Sequence, residues 1–226
     1  MTPNERWLEA LWPFVRGQLP AAPATVVEIG CGPLGGFVPA LRRAGYGAVG
    51  VDPEAPEDSG YYRIEFELYE PSQSVDVVVA CTSLHHVVDL DQVLDKAAAT
   101  LKPAGTLVVV EWAWERFDDA TAQWCFARIP PVAPDAEPGW LHRRREEWRA
   151  SGLSWEEYRR SWAAEEGLHA SQTILRKLAG LFDLRSCSQG PYFFCDLAGI
   201  SEQDEQAAID AGQIQATGIF YAGTLR

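Results

Sequence analysis

With 226 residues, 47% of them hydrophobic, the chain can bury one sizeable core, and a single domain is expected. A formal net charge of −13 argues against DNA, RNA and anionic membranes as main partners, because binding to them rests largely on basic faces that meet phosphate. The sequence has no apolar run of the roughly 18 residues that would cross a bilayer, and Met1 to Glu5 lacks the basic and apolar regions of a secretory signal.

The first predicted helix runs from Asn4 to Leu19. Trp7, Leu8, Leu11 and Val15 share one face, and Pro13 is expected to kink or end the helix. Pro20 and Pro23 break the chain before an apolar strand, Thr25-Val26-Val27-Glu28-Ile29. A glycine-rich turn from Gly30 to Gly36 leads into a helix with Phe37, Leu41 and Ala44 on one side. Ala48 to Asp52 then reads as a second strand, which completes a βαβ unit. Tyr62 to Glu67 predicts a short third strand, and Val75 to Ala80 is apolar enough for a fourth strand buried on both faces. Asp89 and Gln92 mark the start of a helix with Leu90, Val93, Leu94, Ala97 and Leu101 as its stripe. Pro103 and Gly105 stop it, and Thr106 to Glu111 predicts the fifth strand.

The alternation then lapses. From about Trp112 to Gly180 the chain is rich in tryptophan, arginine and glutamate, which predicts a helical lid inserted into the domain. The run Arg143-Arg144-Arg145-Glu146-Glu147 reads as a solvated helix face. Trp148, Trp155 and Trp162 are spaced at heptad intervals, which favours packing over a ligand cage, although Gly152 stands between the first two. Strands resume at Phe182 to Ser186 and at Gly218 to Ala222. The cysteines, Cys31, Cys81, Cys125, Cys187 and Cys195, are odd in number and none forms a C-x-x-C pair. Neither a disulfide framework nor a metal site is expected, and free thiols suit a reducing cytoplasm.

Gly30-x-Gly32-x-x-Gly35 follows a strand and opens a helix, and Asp52 ends the next strand roughly 20 residues later. Glycines there let backbone approach a ligand closely, and a carboxylate in that place accepts hydrogen bonds from adjacent ribose hydroxyls. Together they point to a nucleoside-containing ligand. An NAD-dependent oxidoreductase fits the same pair. Against it stands Glu28, a negative charge beside the glycine loop that suits a cationic ligand group better than a pyrophosphate. The chain after the fifth strand also fails to build a second regular βαβ half.

The stretches Val26-Val27-Glu28-Ile29-Gly30-Cys31-Gly32, Val51-Asp52-Pro53, Val75 to Cys81 with Ser83-Leu84-His85-His86-Val87, and Leu101-Lys102-Pro103-Ala104-Gly105 come in a telling order. Together they resemble the class I S-adenosylmethionine-dependent methyltransferases, in their type 11 small-molecule branch. The resemblance covers about residues 24–115 and, more weakly, 182–226. Leu34 stands where a third glycine often falls, and Ala104 replaces a common turn glycine.

The resemblance implies a Rossmann-like α/β fold with a seven-stranded, mostly parallel sheet in the order 3-2-1-4-5-7-6. The last strand is antiparallel, and the helical insertion, about 112–180, lies between strands five and six. It also implies methyl transfer from S-adenosyl-L-methionine to a small-molecule acceptor. In this reading Glu28, Gly30, Cys31 and Gly32 cradle the amino-acid tail, and Asp52 holds the ribose. Glu65 and Phe66 flank the adenine, and Cys81 and Thr82 face the sulfonium end through backbone groups. A hydroxyl or ammonium acceptor must lose a proton, and histidine is the usual base. His85, beside His86 at the exit of the fourth strand, and His169, projecting from the lid, are the candidates. His142 lies in a charged run and reads as solvated. Trp112 or Trp114, each following the fifth strand, is expected to border the acceptor. Besides an oxidoreductase, a protein that binds the cofactor without methylating remains an alternative.

Overall fold

The computed structural model describes residues 2–132, 135 and 137–226. Helix α1 (Pro3–Gln18) starts in a capping box. Thr2 accepts from the Glu5 amide, the Glu5 side chain returns to Thr2, and Pro3 occupies the first turn, where no amide is needed. The helix runs through Pro13 instead of ending there. Pro13 forfeits one backbone bond, while Trp7, Leu11 and Val15 remain buried on both sides of it, and that burial offsets the loss.

The strands are β1 (Thr25–Ile29), β2 (Gly47–Val51), β3 (Tyr61–Tyr62), β4 (Val75–Cys81), β5 (Leu101–Trp112), β6 (Phe182–Gly190) and β7 (Gly218–Leu225). They form one seven-stranded sheet in the order β3-β2-β1-β4-β5-β7-β6. β1 pairs in parallel with β2 and β4, as do β2 with β3 and β4 with β5. β7 runs antiparallel to both β5 and β6. The order and the antiparallel β7 are those expected, and they leave no second nucleotide-binding half of the dinucleotide kind.

Side chains alternate across the central strands. Val78, Ala80, Leu107 and Val109 face α3 (Leu90–Thr100) and α7 (Ser171–Leu181), while Val77, Val79, Val108 and Val110 face α1 and α2 (Val38–Arg43). Both faces are therefore dry, which explains the unbroken apolar runs of β4 and β5. Asp89 caps α3 through the Gln92 amide, as its spacing predicts.

The third strand is shorter than expected. Only Tyr61 and Tyr62 pair with β2, and the chain then coils into a 3₁₀ turn, Phe66–Leu68. The turn lets Phe66 enter the core while Glu65 and Glu67 stay at the edge.

Between β5 and β6 lie a 3₁₀ turn (Trp114–Arg116) and the helices α4 (Asp119–Phe126), α5 (Trp140–Ser151), α6 (Trp155–Glu165) and α7. They sort into two groups. α7 buries Ile174 and Leu178 in the sheet core, as an ordinary crossover helix does. The chain before it builds an aromatic cluster around Trp112, Phe117, Trp155 and Trp162. Trp148, Trp155 and Trp162 are not on one helix, because Gly152 ends α5 at a φ of +68° and Ser154 caps α6 anew. Trp148 and Trp155 still meet edge to face, with ring centroids 5.4 Å apart. One further helix, α8 (Glu202–Asp210), precedes β7. Among the described residues, no helix is long and apolar enough to cross a membrane.

Candidate functional site

The carboxyl ends of the parallel strands carry the site. β1 runs straight into the glycine loop, where two positions require glycine for different reasons. Gly30 adopts a φ of +74°, and a Cβ on it would lie 2.3 Å from Ser83 Cβ on the loop leaving β4. Gly32 adopts a φ of +63°, which strains any other residue, yet it faces open space, and a Cβ on it would meet nothing within 4 Å. The Gly32 amide donates to Asp52 Oδ2 at 3.0 Å, and the Glu54 amide donates to Asp52 Oδ1 at 2.7 Å. Asp52 thus ties the loop after β1 to the end of β2.

Beside this loop lies a cleft of about 270 Å³, walled by Gly30, Asp52, Glu65, Phe66, Thr82 and His86 among others. Of the residues expected to hold a nucleoside-containing ligand, the structure therefore brings Gly30, Asp52, Glu65, Phe66 and Thr82 to one wall. Thr82 is strained, with a φ of +47° that non-glycine residues seldom adopt. Its amide is anchored on the Val110 carbonyl at 2.7 Å.

Glu28, Cys31 and Cys81 lie behind that wall. Both Glu28 carboxylate oxygens accept from the Phe37 amide, at 3.0 and 2.8 Å, so the side chain clamps the start of α2. Burial pushes its carboxyl up to about 8 against the opposing pull of the Phe37 and Val38 amides. The Cys31 thiol, pushed up to about 12 by burial, turns toward β2, where a Cβ on Gly50 would come within 2.7 Å of its sulfur. Cys81 is buried at the end of β4, and burial raises its thiol well above the usual range. None of the three lines the cleft, and their buried side chains pack beneath the loop.

The loop after β4 carries His85, which is 3% exposed. Its Nδ1 lies 2.5 Å from Glu111 Oε2 at the end of β5. Glu111 also accepts from the Leu84 amide at 2.6 Å and from the Trp112 amide at 3.0 Å. Burial pushes the Glu111 carboxyl upward, but its pairing with His85 and the bonds from the two amides outweigh it and hold it below the ordinary value. His86 stacks against His85, with ring centroids 4.1 Å apart.

His169, expected to project into the acceptor space, is instead bound to the same loop. Its Nε2 donates to the Val87 carbonyl at 2.8 Å, and its amide donates to the His85 carbonyl at 3.0 Å. His142 engages the Pro130 carbonyl at 2.6 Å. Trp112 is buried and stacks on Tyr192 (5.8 Å, 15°), while Trp114 lies under Arg159.

A second cavity, about 360 Å³, adjoins the first through their shared Thr82. Trp7, Leu34, Tyr192 and Asp196 contribute to its walls. Sequence reasoning missed Tyr192 and Asp196, since no motif marks the stretch after β6. The clue lies farther along, in Glu205 of α8. This fully buried carboxylate accepts from the amides of Tyr192 (2.8 Å), Phe193 (3.2 Å) and Phe194 (2.6 Å), and so sets the turn. Among the described residues, no group of three His, Cys, Asp or Glu side chains gathers as a metal would require.

A family model described as a methyltransferase domain matches residues 4–170. A ubiquinone biosynthesis O-methyltransferase of Bradyrhizobium sp. (strain ORS 278) is 29% identical over 136 residues, which cover 54% of this chain and 50% of that protein. The chain thus spans about half the length of the curated relatives it matches. An S-adenosylmethionine dependent methyltransferase from Mesorhizobium loti has a similar structure, with a TM-score of 0.57 at 20% identity over 96% of this chain and 99% of that one. The N-methyltransferase NodS from Bradyrhizobium japonicum WM9, in complex with S-adenosyl-L-homocysteine, gives a TM-score of 0.54 at 16% identity over 99% and 88%. These two likenesses establish the fold.

Proposed function

Because this chain belongs to the methyltransferase-domain family, we propose that it moves a methyl group from S-adenosyl-L-methionine to an oxygen of a small-molecule acceptor in the cytoplasm. The observation that carries the reading is the cleft at the strand ends, where Gly30, Asp52, Glu65 and Phe66 meet. That set suits the cofactor. Asp52 would accept from the ribose hydroxyls, Glu65 and the Phe66 amide would flank the adenine, and the Gly30 to Gly32 backbone would border the amino-acid tail. The name of the curated relatives supports an oxygen acceptor, and the five free thiols suit a reducing compartment.

The cofactor supplies a methyl group already activated on a sulfonium. The chain has two remaining tasks, alignment of the acceptor and removal of its proton. His85 is assigned the proton. With Nδ1–H donated to Glu111, Nε2 would carry the lone pair that receives it, and the Glu111 charge would stabilise the imidazolium that results. His169 is a positioning residue that holds the His85 loop through Val87 and the His85 carbonyl.

Thermal unfolding in the presence of S-adenosylhomocysteine and of NAD tests the ligand class, since a ligand bound only by the folded state raises Tm. A shift with S-adenosylhomocysteine alone is expected. A shift with NAD alone would return the chain to the oxidoreductases. Incubation of labelled donor with a small-molecule extract then tests transfer, and label that never leaves the donor would leave a binding protein.

A further inference from the structure

The second cavity has a chemistry that its neighbour lacks. Of the side chains that wall it, only Asp196 carries a charge, and the aromatic residues Trp7 and Tyr192 stand with it, ring centroids 6.0 Å apart. Trp140 Nε1 donates to Asp196 Oδ2 at 3.0 Å, and among the described residues Asp196 forms no salt bridge. The cation that acts on it, Arg6, spends its guanidinium on the carbonyls of Phe194, Cys195 and Ile200.

A half-buried carboxylate with one neutral donor is under-compensated. Burial already pushes its carboxyl above the ordinary value. At the start of α1, on the same wall, Pro3 has no amide hydrogen and the amides of Thr2 and Glu5 are closed within the capping box.

The feature is also built to stay in place. Glu205 holds three consecutive amides of the turn from Tyr192, and the Asp196 amide donates to the Phe193 carbonyl at 2.9 Å. A carboxylate held in a cavity with aromatic rings suits an ammonium group, because charge pairing and contact with the rings act on the same group.

From this we infer that the acceptor is an amino-alcohol or aminophenol whose protonated amine binds Asp196, beside Trp7 and Tyr192, while its hydroxyl lies toward Thr82 and the donor cleft. The inference rests on the methyltransferase reading, since it takes the neighbouring cleft to be the donor site.

The test uses the whole protein saturated with S-adenosylhomocysteine and matched probes: tyramine against para-hydroxyphenylacetate, and phenethylamine against phenylacetate. Binding is read by titration calorimetry and ligand-observed NMR. The amines should bind more tightly than the matched acids by on the order of tenfold, the scale of one charge-assisted contact. Asp196→Asn, which keeps an oxygen for Trp140, should erase that preference and leave S-adenosylhomocysteine affinity unchanged.

Equal or reversed preference in the wild-type protein, or no binding of any probe, would overturn the inference, and this comparison needs no variant. A loss of S-adenosylhomocysteine affinity in Asp196→Asn would overturn it too, by assigning Asp196 to the donor's own ammonium group. Failure of the wild-type protein to bind S-adenosylhomocysteine would instead sink the donor-site reading beneath it.

Discussion

The two cavities that meet at Thr82 are made of different materials. The first is built on Gly30 and the strand ends, with a carboxylate, Asp52, that binds two amides. The second takes aromatic residues from α1 and from the turn after β6, backed by the tryptophans of the segment after β5. Backbone geometry suits a ligand that is the same across a family, because it leaves few choices to mutation. Aromatic walls are adjustable and suit a partner that varies. On this view the donor side should be rigid and tolerant of changes in the aromatic cluster, whereas the acceptor side should depend on that cluster.

Trp155→Ala would strain this division most. Trp155 is 1% exposed, touches Phe117, Phe126 and Trp148, and donates to the Phe117 carbonyl. Its truncation should cost about 3–5 kcal/mol in urea unfolding, as large aromatic deletions do. S-adenosylhomocysteine affinity, measured well below the transition, should hold. If affinity falls as well, the two sides are one energetic unit.

Asp52→Ala probes the donor side directly. It should weaken S-adenosylhomocysteine binding by about 1.5–3 kcal/mol, the range for hydrogen bonds to a charged group. Because Asp52 also holds the Gly32 amide, part of the loss should appear as faster hydrogen exchange at Gly32. A folded variant with unchanged affinity would remove Asp52 from the site.

Glu28 offers a pH test of the same support. Its folded carboxyl keeps the proton up to about 8, while the unfolded group releases it near 4.5. Between those values the folded state holds more protons, so this group makes stability fall as pH rises, by up to about 1.4 kcal/mol per unit. Glu28→Gln, which retains an acceptor for the Phe37 amide, should flatten that slope in urea titrations between about pH 5 and 8. An identical slope in the variant would show that Glu28 does not titrate in this range.

The smallest effect is expected at the seam between the two sides. His169→Ala removes one side-chain bond to the Val87 carbonyl and should cost about 0.5–1.5 kcal/mol. Its backbone bond to His85 survives, so turnover on an identified acceptor should fall only modestly, whereas His85→Ala should lower it far more. A large loss in His169→Ala with unchanged stability would restore His169 to a direct chemical role.

What could be read before folding was what nearby residues dictate. Alternation and apolar runs placed most of the strands, Asp89 announced its helix, and Gly30 and Asp52, both read from the motif, line the first cavity, because each signal spans one turn, one strand or one βαβ unit. The resemblance supplied the sheet order that periodicity cannot specify. Glu28 looked like a ligand because its position was legible and its direction was not. Only the packed helix shows both its oxygens on the Phe37 amide. His169 likewise looked free until the loop after β4 came to meet it. The second cavity could not be read at all. Its walls come from Trp7, Thr82, Tyr192 and Asp196, far apart along the chain, and its turn is set by Glu205, which in sequence is one more acid in an acidic protein. A carboxylate becomes an organiser only when burial removes water and leaves backbone amides as its partners, and burial is a property of the tertiary structure.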